Sequence, residues 1–292
     1  MLWQKGRSSQ NVDQASGGGG GPGFGRIHLG VGGTILAIII ALVFPSTRGL
    51  IFGLLTGTDT GTTPTGATSQ TTSVNCNRDP QTQFVCKILG STEDVWTAYF
   101  QQAGERYVDP KLTLFEGRVA TACGGASAAV GPFYCPRDER VYLDLDFFRE
   151  LATRFHSDSD FARAYVIAHE VGHHVQDQLG IMDREEQLAQ QGEPMEGATG
   201  LSVRLELQAD CFAGVWANRS QQQLQWLQPG DIESALHAAS QIGDDTLQRG
   251  TRGTVVPDSF THGTSAQRVR WFKTGFDAGA INACDTFHAQ SL

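Results

Sequence analysis

The residues with the clearest chemical potential form one short run, His169-Glu170-Val171-Gly172-His173. Histidines four apart on a helix present both imidazoles on one face, one turn apart, where neutral ring nitrogens can bind a single ion. Glu170 projects about 100° away around the axis, near enough to take a proton from a zinc-activated water without being a ligand. The division suits zinc-dependent hydrolysis: two imidazoles hold the ion, and a carboxylate acts as general base while water attacks a carbonyl. Only 8 of the 292 residues are histidine, so an accidental H-E-x-x-H is expected roughly once in a hundred such chains. The alternative, a surface helix with incidental histidines, fits poorly with the apolar spacing of Phe161, Ala164, Tyr165, Ala168 and Val175.

A catalytic zinc needs a third protein ligand and an open position. The best donor lies in Glu206-Leu207-Gln208-Ala209-Asp210, where Glu206 and Asp210 share a helix face. The adjacent stripe Leu205, Ala209, Phe212 and Trp216 is apolar and faces a core, while Ala213 and Ala217 permit close helix packing. Glu206 is therefore the expected third ligand of one Zn2+, and Asp210 the group that orients a ligand histidine from behind. A solvated face carrying both acids is the competing reading.

Thr264-Ser265-Ala266-Gln267 reads as a capping box, which puts His262 just before a helix start. There it can donate to an oxyanion formed during hydrolysis; a loop histidine without chemical role fits the sequence equally well. Arg268 is placed to pair with Asp210 or Glu206. His174 points off the ligand face, towards the outer shell or the packing. Tyr134 and Tyr142 are candidate polar groups beside a substrate, and the strand near Val141–Leu145 or Val119 is a candidate for binding an extended peptide.

These residues need helices and a sheet to hold them. Helices are expected over 93–107, 146–155, 160–178, 200–219, 231–243 and 265–278 from apolar spacing, and strands near 112–115, 119–122, 133–134 and 141–145. Strands first and helices afterwards point to an α+β fold with a small antiparallel or mixed sheet. The segment 192–200 lies between the two metal-bearing helices as a candidate cover for the cleft.

The rest of the chain suggests a tether. Residues 1–26 are polar and Gly-rich, the composition of a disordered cytoplasmic N-terminus. Ile27 to Phe44 carries no formal charge and reaches about 27 Å as a helix, enough for a transmembrane signal anchor, with an interfacial continuation possible to residue 55. A cleaved signal peptide and a buried core helix are the rivals. Residues 56–75 read as a Thr/Gly linker and 76–292 as the folded domain. Lys5, Arg7 and Arg26 before the apolar run place the N-terminus in the cytoplasm and the domain outside a cell membrane, with the lipid bilayer as a partner. All six cysteines, Cys76, Cys86, Cys123, Cys135, Cys211 and Cys284, follow that run, as disulfides in an oxidising compartment would. Sequence leaves many pairings open; short loops favour Cys76–Cys86 and Cys123–Cys135, which leaves Cys211–Cys284. The net charge of −9 argues against nucleic acid as a partner.

The runs Ala168–Gln176, Glu206–Gly214, Gly131–Pro136 and Phe260–Arg268 resemble, in the same order, those of the neutral zinc metallopeptidases, the YpfJ-like family of bacterial membrane-anchored proteins. The H-E-x-x-H plus E-x-x-x-D pair is also similar to membrane gluzincin proteases, although Gly263 stands where those often have Pro after the corresponding histidine. The resemblance implies a zincin-like fold, zinc through His169, His173 and Glu206, Glu170 as general base, and a peptide or protein substrate. A membrane-tethered metal-binding assembly or regulatory protein without turnover is the alternative from another class. A structural zinc normally has four protein ligands, whereas three ligands and a free Glu170 suit an open site.

Overall fold

The computed structural model describes residues 1–16, 69–127, 131–155, 159–252 and 254–292. The architecture is α+β, with one small mixed sheet against a larger group of helices. The sheet order is β2 (Thr71–Ser73), β1 (Val12–Ala15), β3 (Lys111–Phe115), β7 (Arg140–Asp144) and β6 (Phe133–Cys135). The strands β1, β3 and β7 run parallel to one another, and β2 and β6 pair antiparallel at the edges. A separate hairpin joins β4 (Arg118–Thr121) to β5 (Gly124–Ser127). The strand near Val141–Leu145 is therefore interior, paired on both sides, and offers no free edge to a peptide.

The first sixteen residues correct the expectation of a disordered N-terminus. Val12 and Ala15 are buried, and Asp13 is paired with Ser73 on one side and Thr113 on the other. Upstream, Arg7 bonds Glu93 at 2.7 Å and Asp94 at 2.8 Å, and Ser9 donates to Glu93. The domain thus begins before residue 76, and the expected linker contributes β2. Residues 27–44, the expected membrane span, lie outside the described residues. Among the described residues no helix is long and apolar enough to cross a membrane. The single-pass arrangement is contradicted by the sheet itself. Ala15 pairs with Thr71 and the Ser16 N–H donates to the Gln70 carbonyl, so the chain leaves and re-enters the same sheet. One membrane crossing between them would put those partners on opposite sides.

The helices are α1 (Pro80–Gln102), α2 (Asp146–Phe155), α3 (Asp160–Gln178), α4 (Ile181–Gln190), α5 (Leu201–Leu224), α6 (Asp231–Gln241), α7 (Asp244–Arg252) and α8 (Ser265–Ala278). The start of α1 at Pro80 rather than Glu93 follows from local chemistry: Asp79 accepts the Thr82 N–H at 2.7 Å and proline occupies the first turn. Ser159 caps α3 in the same way, and Thr264 with Gln267 forms the expected capping box on α8. Helix α5 is buried along most of its length, with Trp216 donating to Ser91 of α1 at 2.9 Å and stacking on Phe161 of α3. Disulfides join Cys76 to Cys86, Cys123 to Cys135 and Cys211 to Cys284.

Two glycine crossings set how closely the central helices approach. A Cβ at Gly172 of α3 would lie 3.0 Å from the Ala209 carbonyl oxygen of α5. At Gly275 of α8 it would lie 1.9 Å from the Cys211 carbonyl oxygen of α5, an overlap that only a helix shift relieves. Gly275→Ala is expected to cost about 1–3 kcal/mol of stability, read as a lower thermal midpoint of the full chain; an unchanged midpoint contradicts so tight a crossing.

Candidate metal centre

Helix α3 brings His169, Glu170 and His173 to its face against α5, and α5 presents Glu206 and Asp210 to them. All five side chains are buried. His169 Nε2 lies 3.2 Å from one Glu206 oxygen and His173 Nε2 lies 3.5 Å from the other. The donor atoms of His169, His173 and Glu206 all fall within 4.8 Å of one another. Tetrahedral zinc with bonds of about 2.1 Å separates its ligand atoms by about 3.4 Å, so the cluster has the size and donor chemistry for that ion.

Each histidine is held by its other nitrogen. His169 Nδ1–H donates to Asp210 Oδ1 at 2.9 Å, and His173 Nδ1–H donates to Gln176 Oε1 at 2.9 Å. Both Nε2 atoms are thereby turned to the same point. Asp210 is itself fixed by Tyr165 and by Arg268, whose Nε and Nη2 donate at 2.8 and 2.9 Å. Arg268 thus takes Asp210, of the two acids offered to it by the sequence.

The electrostatics separate the groups. Burial drives the His173 pKa down to about 4, leaving a neutral imidazole. The same burial acts on His169, but Asp210 and Glu206 outweigh it and raise that ring to about 10. Burial opposes ionisation of Glu206, yet His262 and the hydrogen-bonded, charged His169 hold it well below the usual carboxylate range. Asp210 stays ionised against burial through Arg268 and His169. Glu170 is different: burial dominates and, despite the pull of His169, raises its pKa to about 7. Among the described residues it has no hydrogen-bond partner.

His262 is buried in the loop before α8. Asp244 Oδ2 accepts three successive backbone N–H groups, from Thr261, His262 and Gly263, at 2.7, 2.7 and 3.1 Å. The turn needs φ of +82° at residue 263, which glycine adopts freely and proline cannot. Segment 192–200 is tied to the same loop, Gly197 N–H donating to the Phe260 carbonyl and Gln267 to the Ala198 carbonyl. His174 turns away from the cluster, to Tyr134 at 3.0 Å and the Val108 carbonyl at 2.7 Å. The Tyr134 hydroxyl donates to Asp177 and the Tyr142 hydroxyl to Asp138, so both tyrosines are engaged within the fold.

Gln176, Tyr165 and Asp244 were missed from the sequence. Gln176 lies one turn after His173 and Tyr165 one turn before His169, so helical spacing carried a signal for both. Asp244 had none, since it acts on backbone groups of a distant loop.

Two buried imidazoles and a carboxylate thus surround one point, a donor set that could hold a metal ion, with the unpaired Glu170 beside them. The chain belongs to the family described as "Putative neutral zinc metallopeptidase", whose model matches residues 1–287. It is 48% identical to "Uncharacterized protein YpfJ" of Escherichia coli strain K12, over 98% of this chain and 99% of that one. It is 45% identical to "Uncharacterized protein Mb2605" of Mycobacterium bovis, over 71% of this chain and 72% of the relative. No solved structure gives a significant match.

A second acid feels the centre. Glu185 of α4 is buried, with one carboxylate oxygen lacking any hydrogen-bond partner among the described residues. Burial, then Glu206 and Glu186, raise its pKa from 4.5 to about 7. The folded chain holds a proton that the unfolded chain has released, so stability falls as pH rises from about 4.5 through about 7. Glu185→Gln is expected to raise the melting temperature by a few degrees at pH 8 and to leave it nearly unchanged at about pH 3.5, below both values; an equal gain at both pH values contradicts this.

Proposed function

We propose that this chain is a zinc-dependent peptidase in which His169, His173 and Glu206 hold the ion and Glu170 is the general base. The observation that carries the reading is Glu170: a residue only 7% exposed, whose carboxyl has no hydrogen-bond partner among the described residues, beside three donors that could hold one metal ion. A carboxyl on a largely buried residue that spends its oxygens on no other side chain is free to bond a water at the site. Family membership implies zinc and a peptide substrate.

Held at this site, zinc supplies a Lewis acid that polarises a carbonyl and acidifies water. The protein does the rest. His169 and His173 keep their Nδ1 protons on Asp210 and Gln176, so neither ring needs to reorient as the ion enters. Glu170, free of any other side-chain partner, accepts the proton of the attacking water at its carboxylate and returns it to the departing amine. His262, held by the Asp244 clamp, lies close enough to Glu206 and Glu170 to act on both. From there it donates a hydrogen bond to the carbonyl oxygen as negative charge builds on it. Arg268 stays on Asp210 and touches no substrate.

The test is peptide hydrolysis by the full chain loaded with zinc, beside Glu170→Gln and His262→Ala. The expected result is near-stoichiometric zinc in all three, with turnover reduced at least about 100-fold in each variant. Zinc bound and peptides cleaved equally by Glu170→Gln would remove Glu170 from the mechanism.

A further inference from the structure

The hydrogen bonds behind His173 continue beyond Gln176. Gln176 accepts from His173 Nδ1 through its oxygen and gives its Nε2 protons to Gln208 Oε1 at 3.0 Å and to the Leu205 carbonyl at 2.8 Å. Gln208 of α5 then donates from its own Nε2 to the Cys284 carbonyl at 2.9 Å. Cys284 is disulfide-bonded to Cys211, the residue after Asp210 on the same helix. All of these side chains are buried. Each amide end has one role in this chain of bonds: a reversed Gln208 would face its Nε2 to the Gln176 donor and its Oε1 to the Cys284 acceptor, breaking both bonds. The carbonyl at the far end therefore fixes Gln208, Gln208 and the Leu205 carbonyl together fix Gln176, and Gln176 fixes the tautomer of His173.

We infer that Gln208 is a positioning residue for the metal ligand His173, and that the Cys211–Cys284 disulfide serves the site by holding the carbonyl on which this relay ends. The tail after α8 has no regular secondary structure beyond the single turn Ile281–Ala283. Its position over α5 rests on the disulfide and on bonds such as those from Arg204 to the Thr286, Phe287 and Ala289 carbonyls. Without the disulfide, the Cys284 carbonyl loses its covalent tie to α5, and Gln208 gains freedom to rotate its amide. His173 then spends part of its time with Nδ1, rather than Nε2, as the free lone pair, and its share in holding an ion falls. Asp210 holds His169 directly through one bond; His173 depends on two amides and a tail.

The inference rests on the reading that His169, His173 and Glu206 hold a metal, and the test separates the two. Zn2+ affinity is measured by chelator competition, and the Co2+ absorption spectrum is recorded, for the full chain and for Gln208→Leu, Gln176→Leu, their double variant, Cys211→Ser/Cys284→Ser, and that pair combined with Gln208→Leu. Melting of each metal-free protein reports folding. Gln208→Leu is expected to bind Zn2+ about tenfold more weakly than wild type, with an altered Co2+ spectrum and a cooperative metal-free melt. Because the groups act in series, Gln176→Leu/Gln208→Leu should bind no more weakly than Gln176→Leu alone. The cysteine variant should match Gln208→Leu, and combining them should add nothing. Wild-type affinity in Gln208→Leu, or losses that multiply in the combined variants, overturns the relay while leaving the metal site standing. If wild type binds no Zn2+, the site reading itself falls. Should the cysteine variant not melt cooperatively, the glutamine variants decide alone.

Discussion

The structure turns on one buried carboxylate. Asp210 is fully enclosed and accepts hydrogen bonds from His169 and Tyr165 of α3 and from Arg268 of α8. An ionised carboxylate at that depth is tolerable only when its oxygens are bonded and its charge is matched. The arginine must therefore reach it, and α8 must lie close against α5. The small residues at the crossing, Gly214 and Gly275, permit that approach: a Cβ at Gly214 would come within 2.1 Å of the Phe272 carbonyl oxygen. The Cys211–Cys284 bond beside Asp210 ties the chain after α8 to the same place. Requirements of charge, packing and covalent linkage converge within one turn of α5.

That arrangement divides labour between two histidines with the same spacing and nearly the same burial. His169 backs onto an ionised acid and has a raised pKa; His173 backs onto a neutral amide and has a lowered one. Glu170, one residue from His169, has neither partner and titrates near neutrality. The three groups differ because their neighbours differ, which is how a single helix supplies ligands and a base together.

Much of this was readable in advance. The H-E-x-x-H and E-x-x-x-D runs lie on helices because their flanking residues repeat with helical period, and capping residues such as Ser159 and Thr264 fix where α3 and α8 start. Two of the disulfides follow the pairing that short loops favour, and the third joins the two cysteines that remain. What escaped was mostly non-local. Val12-Asp13-Gln14-Ala15 has no strand pattern of its own and becomes a strand because β3 and the Thr71–Ser73 segment flank it. The polar, Gly-rich composition of residues 1–26 reads as a tail; Val12–Ala15 instead lie within the sheet, and this same pairing contradicts a single membrane crossing. Helix α4 places Glu185 on its buried face, where polarity disguises the apolar period. Asp244 was unreadable because its partners are backbone amides, which carry no residue signature.

X-ray absorption at the zinc edge of the full chain, loaded with one equivalent of zinc, tests the central claim most directly. The account predicts a light-atom first shell with scattering from two imidazoles, no sulfur, and loss of one imidazole in His173→Ala. A shell containing sulfur, or an unchanged spectrum in His173→Ala, would place the ion elsewhere and contradict the site described.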